Sequence, residues 1–183
     1  MTDRLSGRRI AVFVEQEFSA RELLEPVRLL KAEGASVTII GPTTKSPYRD
    51  KTGTETVTAD LAAGACRMKD YDAILIPGGH APDRMRMRHA MIDMITDAVA
   101  AGKPVAAICH GPQVLITANV LRGRTVTCWP SIAVDVTNAG GRYVDRPMVR
   151  DGSIITARKS DDLPYFIEAL VEALQPESPA APR

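Results

Sequence analysis

Cysteine and histidine are both scarce in this chain of 183 residues, with three of each. Cys66, Cys109 and Cys128 are odd in number and scattered. They define no disulfide framework, and no pair has the Cys-x-x-Cys spacing of a zinc site, so no metal is expected. The histidines are His80, His89 and His110, and none follows residue 110. That absence excludes enzymes that recruit their base from a histidine well downstream of the nucleophile. Any Cys–His chemistry here must use a neighbouring or preceding histidine, or one lent by another subunit. Charge of one sign is also lacking. Lys plus Arg is 23 against 22 Asp plus Glu, a balance that gives no support for a nucleic-acid groove or a polybasic membrane patch. Long apolar runs are missing too. The first, residues 10–14, is too short for a signal peptide, and no run approaches a membrane span. The expectation is a soluble cytoplasmic protein.

Glycine is absent where nucleotide chemistry would need it. In open α/β sheets the ligand sits beyond the carboxyl ends of the strands. The segment after the first candidate strand is Glu15-Gln16-Glu17-Phe18-Ser19, acidic and without glycine. A dinucleotide or flavin-phosphate loop needs close backbone approach and no carboxylate. Gly102-Lys103 runs into Pro104 rather than Ser or Thr, so there is no Walker loop either. No cofactor is expected.

What is present is a regular alternation. Residues 10–14, 37–40, 73–76 and 105–108 are near-continuous apolar runs of strand length, the pattern of parallel strands covered on both faces. Between them lie helical patterns. Ser19 and Glu22 have capping-box spacing, and Leu23, Leu24, Val27 and Leu30 follow on one face until Gly34. Further helices are expected over residues 89–101, 111–120 and 163–174, the last capped by Ser160 or Asp161. Residues 54–60 read as an exposed strand or hairpin arm, and residues 141–156 as two short strands about the Asp151-Gly152 turn. The sum is one α/β domain over residues 1–175, a flavodoxin-like three-layer sandwich with a mostly parallel sheet. The proline-rich residues 176–183 read as a frayed tail.

One segment concentrates chemistry: residues 105–108 run into Cys109-His110-Gly111-Pro112. The cysteine falls where a buried strand turns into a helix, as in a nucleophile elbow. The helix N-terminus and His110 are expected to hold the thiol below a free cysteine. Gly111 gives the helix room to approach, and Pro112 suits its first turn. A second segment, Pro77-Gly78-Gly79-His80, puts two glycines at the carboxyl end of a strand, where their N–H groups can form an oxyanion site with the amide after the nucleophile. In the first-strand loop, Glu17 is a candidate to sit over the same edge.

Together these segments resemble the PfpI family of intracellular cysteine peptidases, in the ThiJ/PfpI superfamily, whose fold is of the class I glutamine amidotransferase type. The likeness rests on Glu17-Phe18 with Glu22-Leu23, residues 77–83, residues 107–112, Asn138-Ala139-Gly140, and Thr156-Ala157-Arg158 with Asp162-Leu163. It implies Cys109 as nucleophile, His110 as its partner and Glu17 as the carboxyl beside the thiol. It also implies an acid lent by a neighbouring subunit at the position of Asp83, hence a homodimer or larger homo-oligomer. By the same resemblance most members carry Glu there and some Asp, and the shorter Asp has less reach.

Members are described as peptidases and as deglycases or glyoxalases acting on reactive aldehydes, so the implied substrate is a small aldehyde or a peptide in stress protection. A non-enzymatic alternative is an oxidative sensor or holdase working through Cys109. Trp129 stands where another branch of the superfamily has a histidine, and it reads either as pocket wall or as core. Cys128 reads as a second oxidisable thiol or an inert one, and Cys66 as structural. Met85, Met87, Met91 and Met94, interleaved with arginines, read as an adaptable interface or as core helix.

Overall fold

The computed structural model describes residues 3–175; the expected tail at 176–183 lies outside them. In chain order the strands are β1 (Arg9–Phe13), β2 (Ser36–Gly41), β3 (Tyr48–Arg49), β4 (Thr56–Val57), β5 (Leu61–Ala62), β6 (Ala73–Ile76), β7 (Val105–Ile108), β8 (Thr125–Val126), β9 (Arg142–Tyr143), β10 (Met148–Asp151) and β11 (Ile154–Ala157). The helices are α1 (Ala20–Ala32), α2 (Ala81–Met85), α3 (His89–Ala100), α4 (Pro112–Thr117), α5 (Ala133–Asn138) and α6 (Leu163–Leu174).

Seven strands form one sheet in the order β10-β11-β7-β6-β1-β2-β5. All neighbours are parallel except β10, which returns antiparallel on β11 around the expected Asp151-Gly152 turn. The apolar runs of β6, β7 and β11 are buried at every position, as strands covered on both faces must be. The chain leaves β1 towards β2 through α1, then passes from β6 to β7 through α3 in the opposite direction. Right-handed crossovers of opposite sense put α1 and α3 on opposite faces. Helix α6 packs beside α1 and α3 beside α4, which completes three layers. The expected hairpin arm near residue 56 is β4, paired antiparallel with β3.

One local expectation fails for a physical reason, and one open alternative is resolved. Ser19 makes no side-chain capping bond at the start of α1. The Glu22 side chain, which the capping-box pattern would turn back to the helix end, is buried instead, 2% exposed. The methionines are mostly core. Met85, Met91 and Met94 pack inside, and Met87 alone of the four is exposed, at 77%. Helical periodicity marks a buried face without saying whether a sheet or a second chain covers it.

Candidate active site

Because β1, β6 and β7 are parallel neighbours, the loops that follow them open at one edge of the sheet. Those loops carry Glu17, the Gly78-Gly79 pair and Cys109. Cys109 has φ 61°, a left-handed conformation that costs a non-glycine residue about 1–2 kcal/mol. Two backbone bonds hold it there: its N–H donates to Ala157 O at 2.9 Å, and its carbonyl accepts from Trp129 N–H at 2.9 Å. The corner leaves the side chain at the mouth of a pocket. Gly111 makes the turn possible, since a Cβ there would lie 2.8 Å from Ile108 O and 2.9 Å from Ile76 O.

The pocket has a volume of about 200 Å³ and is lined by Glu22, Lys51, Gly79, His80, Cys109, His110, Trp129, Lys159 and Ser160. His110 Nδ1 lies 3.3 Å from Cys109 Sγ, and its Nε2 lies 3.4 Å from Ser131 Oγ. Trp129 stacks on the imidazole with ring centroids 6.1 Å apart, so it is pocket wall.

The carboxyl beside the sulfur is Glu22, not Glu17. A Cβ on Gly78 would collide with Glu22 Oε2 and come within 3.1 Å of Cys109 Sγ, so carboxyl and thiol flank the same glycine. Glu22 Oε2 accepts from Gly78 N–H at 2.9 Å, and its Oε1 accepts from Ser160 Oγ at 2.7 Å. Glu17 points outward. Its Oε2 pairs with Arg84 at 2.6 Å, and its Oε1 lies 3.8 Å from His80 Nδ1. The Arg84 guanidinium holds the Glu17 carboxyl below its usual range.

Nor can both glycines serve an oxyanion. The Gly78 N–H is taken by Glu22, which leaves the N–H groups of Gly79 and His110 facing the sulfur. Asp83 is exposed on α2 and does not line the pocket of its own chain.

Electrostatics also correct the expectation of an acidic thiol. Burial pushes Cys109 up to about 12, the Glu22 carboxylate pushes the same way, and the two amides oppose them. Burial likewise raises Glu22 and lowers His110, so the imidazole stays neutral. The helix N-terminus gives little help, because α4 starts three residues after Cys109 with a proline. Cys128 is fully buried, and burial pushes its thiol up to about 12. Cys66 is buried, its Sγ 3.4 Å from Ala62 O. Among the described residues, no cluster of His, Cys, Asp and Glu is arranged to hold a metal.

Sequence reasoning missed Glu22, Lys51, Ser131, Lys159 and Ser160. Glu22 was visible as half of a capping box and in the Glu22-Leu23 pair of the family resemblance, Ser160 only as a helix cap, and the other three carried no local signal.

An α/β sheet with a cysteine in a left-handed elbow, a buried carboxyl against it and an adjacent imidazole defines a cysteine-centred pocket of the nucleophile-elbow kind. The model of the DJ-1/PfpI family matches residues 8–173, and the chain belongs to that family. Protein/nucleic acid deglycase 2 of Escherichia coli is 39% identical over 161 residues, covering 87% of this chain and 94% of that one. General stress protein 18 of Bacillus subtilis is 38% identical over the same length and the same shares. Among solved structures, a two-domain protein from Anabaena variabilis with DJ-1/ThiJ/PfpI-like and ferritin-like domains superposes with a TM-score of 0.89 at 35% identity. The match covers 96% of this chain and 52% of that one, so the chain spans about half of the two-domain protein. Drosophila melanogaster DJ-1beta shares the fold, with a TM-score of 0.85 at 24% identity over 92% of this chain and 90% of that one. No helix among the described residues is long and apolar enough to cross a membrane.

Proposed function

We propose that this chain is a cysteine-dependent hydrolase of the deglycase or glyoxalase kind, acting on reactive aldehydes and their adducts in stress protection. The observation that carries the reading is the thiol–imidazole pair at 3.3 Å, Cys109 and His110, inside a pocket of about 200 Å³. A space of that size suits a small carbonyl compound, whereas a peptidase needs a groove for an extended chain. The relatives named as a deglycase and as a stress protein support the same choice.

The chemistry follows from the pKa directions. A thiol held high by burial is protonated at neutral pH, so it needs a base at the moment of attack. The neutral His110 supplies one. As Cys109 Sγ adds to the carbonyl carbon, the new C–S bond displaces the carbonyl π electrons onto oxygen. The thiol proton passes to Nδ1, with Nε2–H donating to Ser131 Oγ. The N–H groups of Gly79 and His110 receive the oxygen's charge before it is protonated. Asp83 acts from a neighbouring copy in a homo-oligomer, on the partner's His110.

The test compares wild type with Cys109→Ser on methylglyoxal, on methylglyoxal–amine adducts and on a peptide. Wild type should consume the first two, and Cys109→Ser should lose that turnover while keeping its far-ultraviolet circular dichroism. Wild-type activity in Cys109→Ser, or cleavage of the peptide alone, would sink the reading.

A further inference from the structure

The charges around the pocket do not cancel. Two lysines, Lys51 and Lys159, stand on its wall, with His80 beside them. The single lining carboxyl is Glu22, and burial favours its uncharged form. The nearby Glu17 is already neutralised by Arg84 at 2.6 Å. Lys159 has only a long contact, 3.9 Å, with the exposed Asp161. Lys51 makes no ion pair or side-chain hydrogen bond with any described residue.

The position of Lys51 is nonetheless built. The preceding Asp50 is buried, and its carboxylate accepts from Thr52 Oγ1 at 2.6 Å, Thr52 N–H at 3.2 Å and Glu55 N–H at 2.9 Å. The Lys51 N–H donates to Phe18 O at 2.9 Å, which ties this turn to the loop after β1. A fixed turn therefore anchors the exposed Lys51 on the wall of a concave site, with no counter-charge at ion-pair distance, and a cleft focuses such a charge more than an open surface does. Its field reaches Cys109, Glu22 and His110 alike.

We infer that Lys51, helped by Lys159, forms an anion subsite in the Cys109 pocket, and that the preferred substrate is a small carbonyl compound or adduct carrying a carboxylate or phosphate. The inference rests on the proposed function for the word substrate. The subsite itself can be read without any turnover.

Cys109 can be alkylated by iodoacetamide, which is neutral, or by iodoacetate, which carries a carboxylate. In both reactions sulfur bonds to the CH2 carbon as iodide leaves, and both need the same ionised sulfur. The ratio of the two rates therefore cancels any change in thiol pKa and reports the charge felt by the reagent. Relative to a small free thiol under the same conditions, wild-type Cys109 should favour iodoacetate. Lys51→Gln should cut the iodoacetate-to-iodoacetamide ratio by roughly three- to tenfold, the scale for one charge several ångströms away in a protein environment. Lys159→Gln should lower it less, Lys51→Arg should retain it, and added salt should reduce it in wild type.

Slowing of the iodoacetamide reaction by acetate, or by inorganic phosphate at matched ionic strength, tells which anion fits. A wild-type ratio equal to the free thiol's, or one unmoved by Lys51→Gln, overturns the subsite. Failure to turn over methylglyoxal adducts with the ratio intact overturns the hydrolase reading and leaves the subsite standing.

Discussion

Glu22→Gln should make this protein more stable at neutral pH, although it alters a fully engaged buried side chain. The substitution preserves shape and hydrogen bonding: the amide oxygen can accept from Gly78 N–H, and the NH2 can donate to Ser160 Oγ. What it removes is a carboxyl whose pKa is raised by burial, against the weaker lowering by Ser160 and Gly78. An acid with a raised folded-state pKa keeps its proton after the unfolded chain has released its own. Between the two pKa values the unfolded state binds fewer protons, so stability falls as pH rises. The stabilising effect of the neutral form is complete below the unfolded value near 4.5 and is lost as pH climbs to the folded value. The advantage of Glu22→Gln over wild type should therefore grow as pH rises from 4 to 8, by about 1.4 kcal/mol for each unit that separates the two pKa values. Urea unfolding of both proteins across that range, at one protein concentration, gives the difference curve. Other carboxyls titrate alike in both and drop out. A difference that is flat with pH, or that turns against the variant as pH rises, would refute the raised pKa.

Turnover of methylglyoxal should have its acid limb below pH 6.5, because burial lowers His110 and the base works in its neutral form; a limb at or above that value contradicts the assignment of His110. Mixing Cys109→Ser with Asp83→Ala, each inactive alone, should restore up to about a quarter of wild-type turnover if the closed assembly is a dimer mixed in equal parts, because half the dimers are mixed and each carries one complete site. Native mass spectrometry must first show exchanged subunits, and no recovery in exchanged samples, or full activity of Asp83→Ala alone, ends the shared-site model.

The central strands were legible because burial on both faces leaves an uninterrupted apolar run, and residues 73–76 and 105–108 have no other economical reading. The elbow was legible because its requirements are local: a strand, Cys109, a glycine for close approach and a proline for the first helical turn. The acid was not. Glu22 meets Gly78 across 56 positions and Ser160 across 138, and within its own segment it looks like half of a cap. Glu17, two positions from the end of the acidic loop, looked better placed, yet its φ of 64° and the bond from Arg84 direct it to solvent. Lys51 had no signal at all, since a lysine in a polar turn is ordinary until the fold brings that turn against Phe18.

Two destabilising features meet at one point of this fold. Cys109 sits in a left-handed conformation, and a buried carboxyl flanks the same glycine as its sulfur. Either could be relieved by a common substitution, Gly for the strained residue or Gln for the acid. The strain has a geometric consequence: in that conformation the Cys109 sulfur lies 3.3 Å from His110 Nδ1. The acid has an electrostatic one. A neutral Glu22 adds no repulsion when negative charge reaches the sulfur, whereas a charged one opposes it, so the burial that raises Glu22 also keeps the neighbouring sulfur usable. A core glutamine would leave the sulfur equally free of repulsion, so the acid is not required for that effect alone. The costs therefore fall on the thiol proposed as nucleophile and on the buried acid whose charge state it feels, and a site built for chemistry, rather than for packing, stores its strain in such groups.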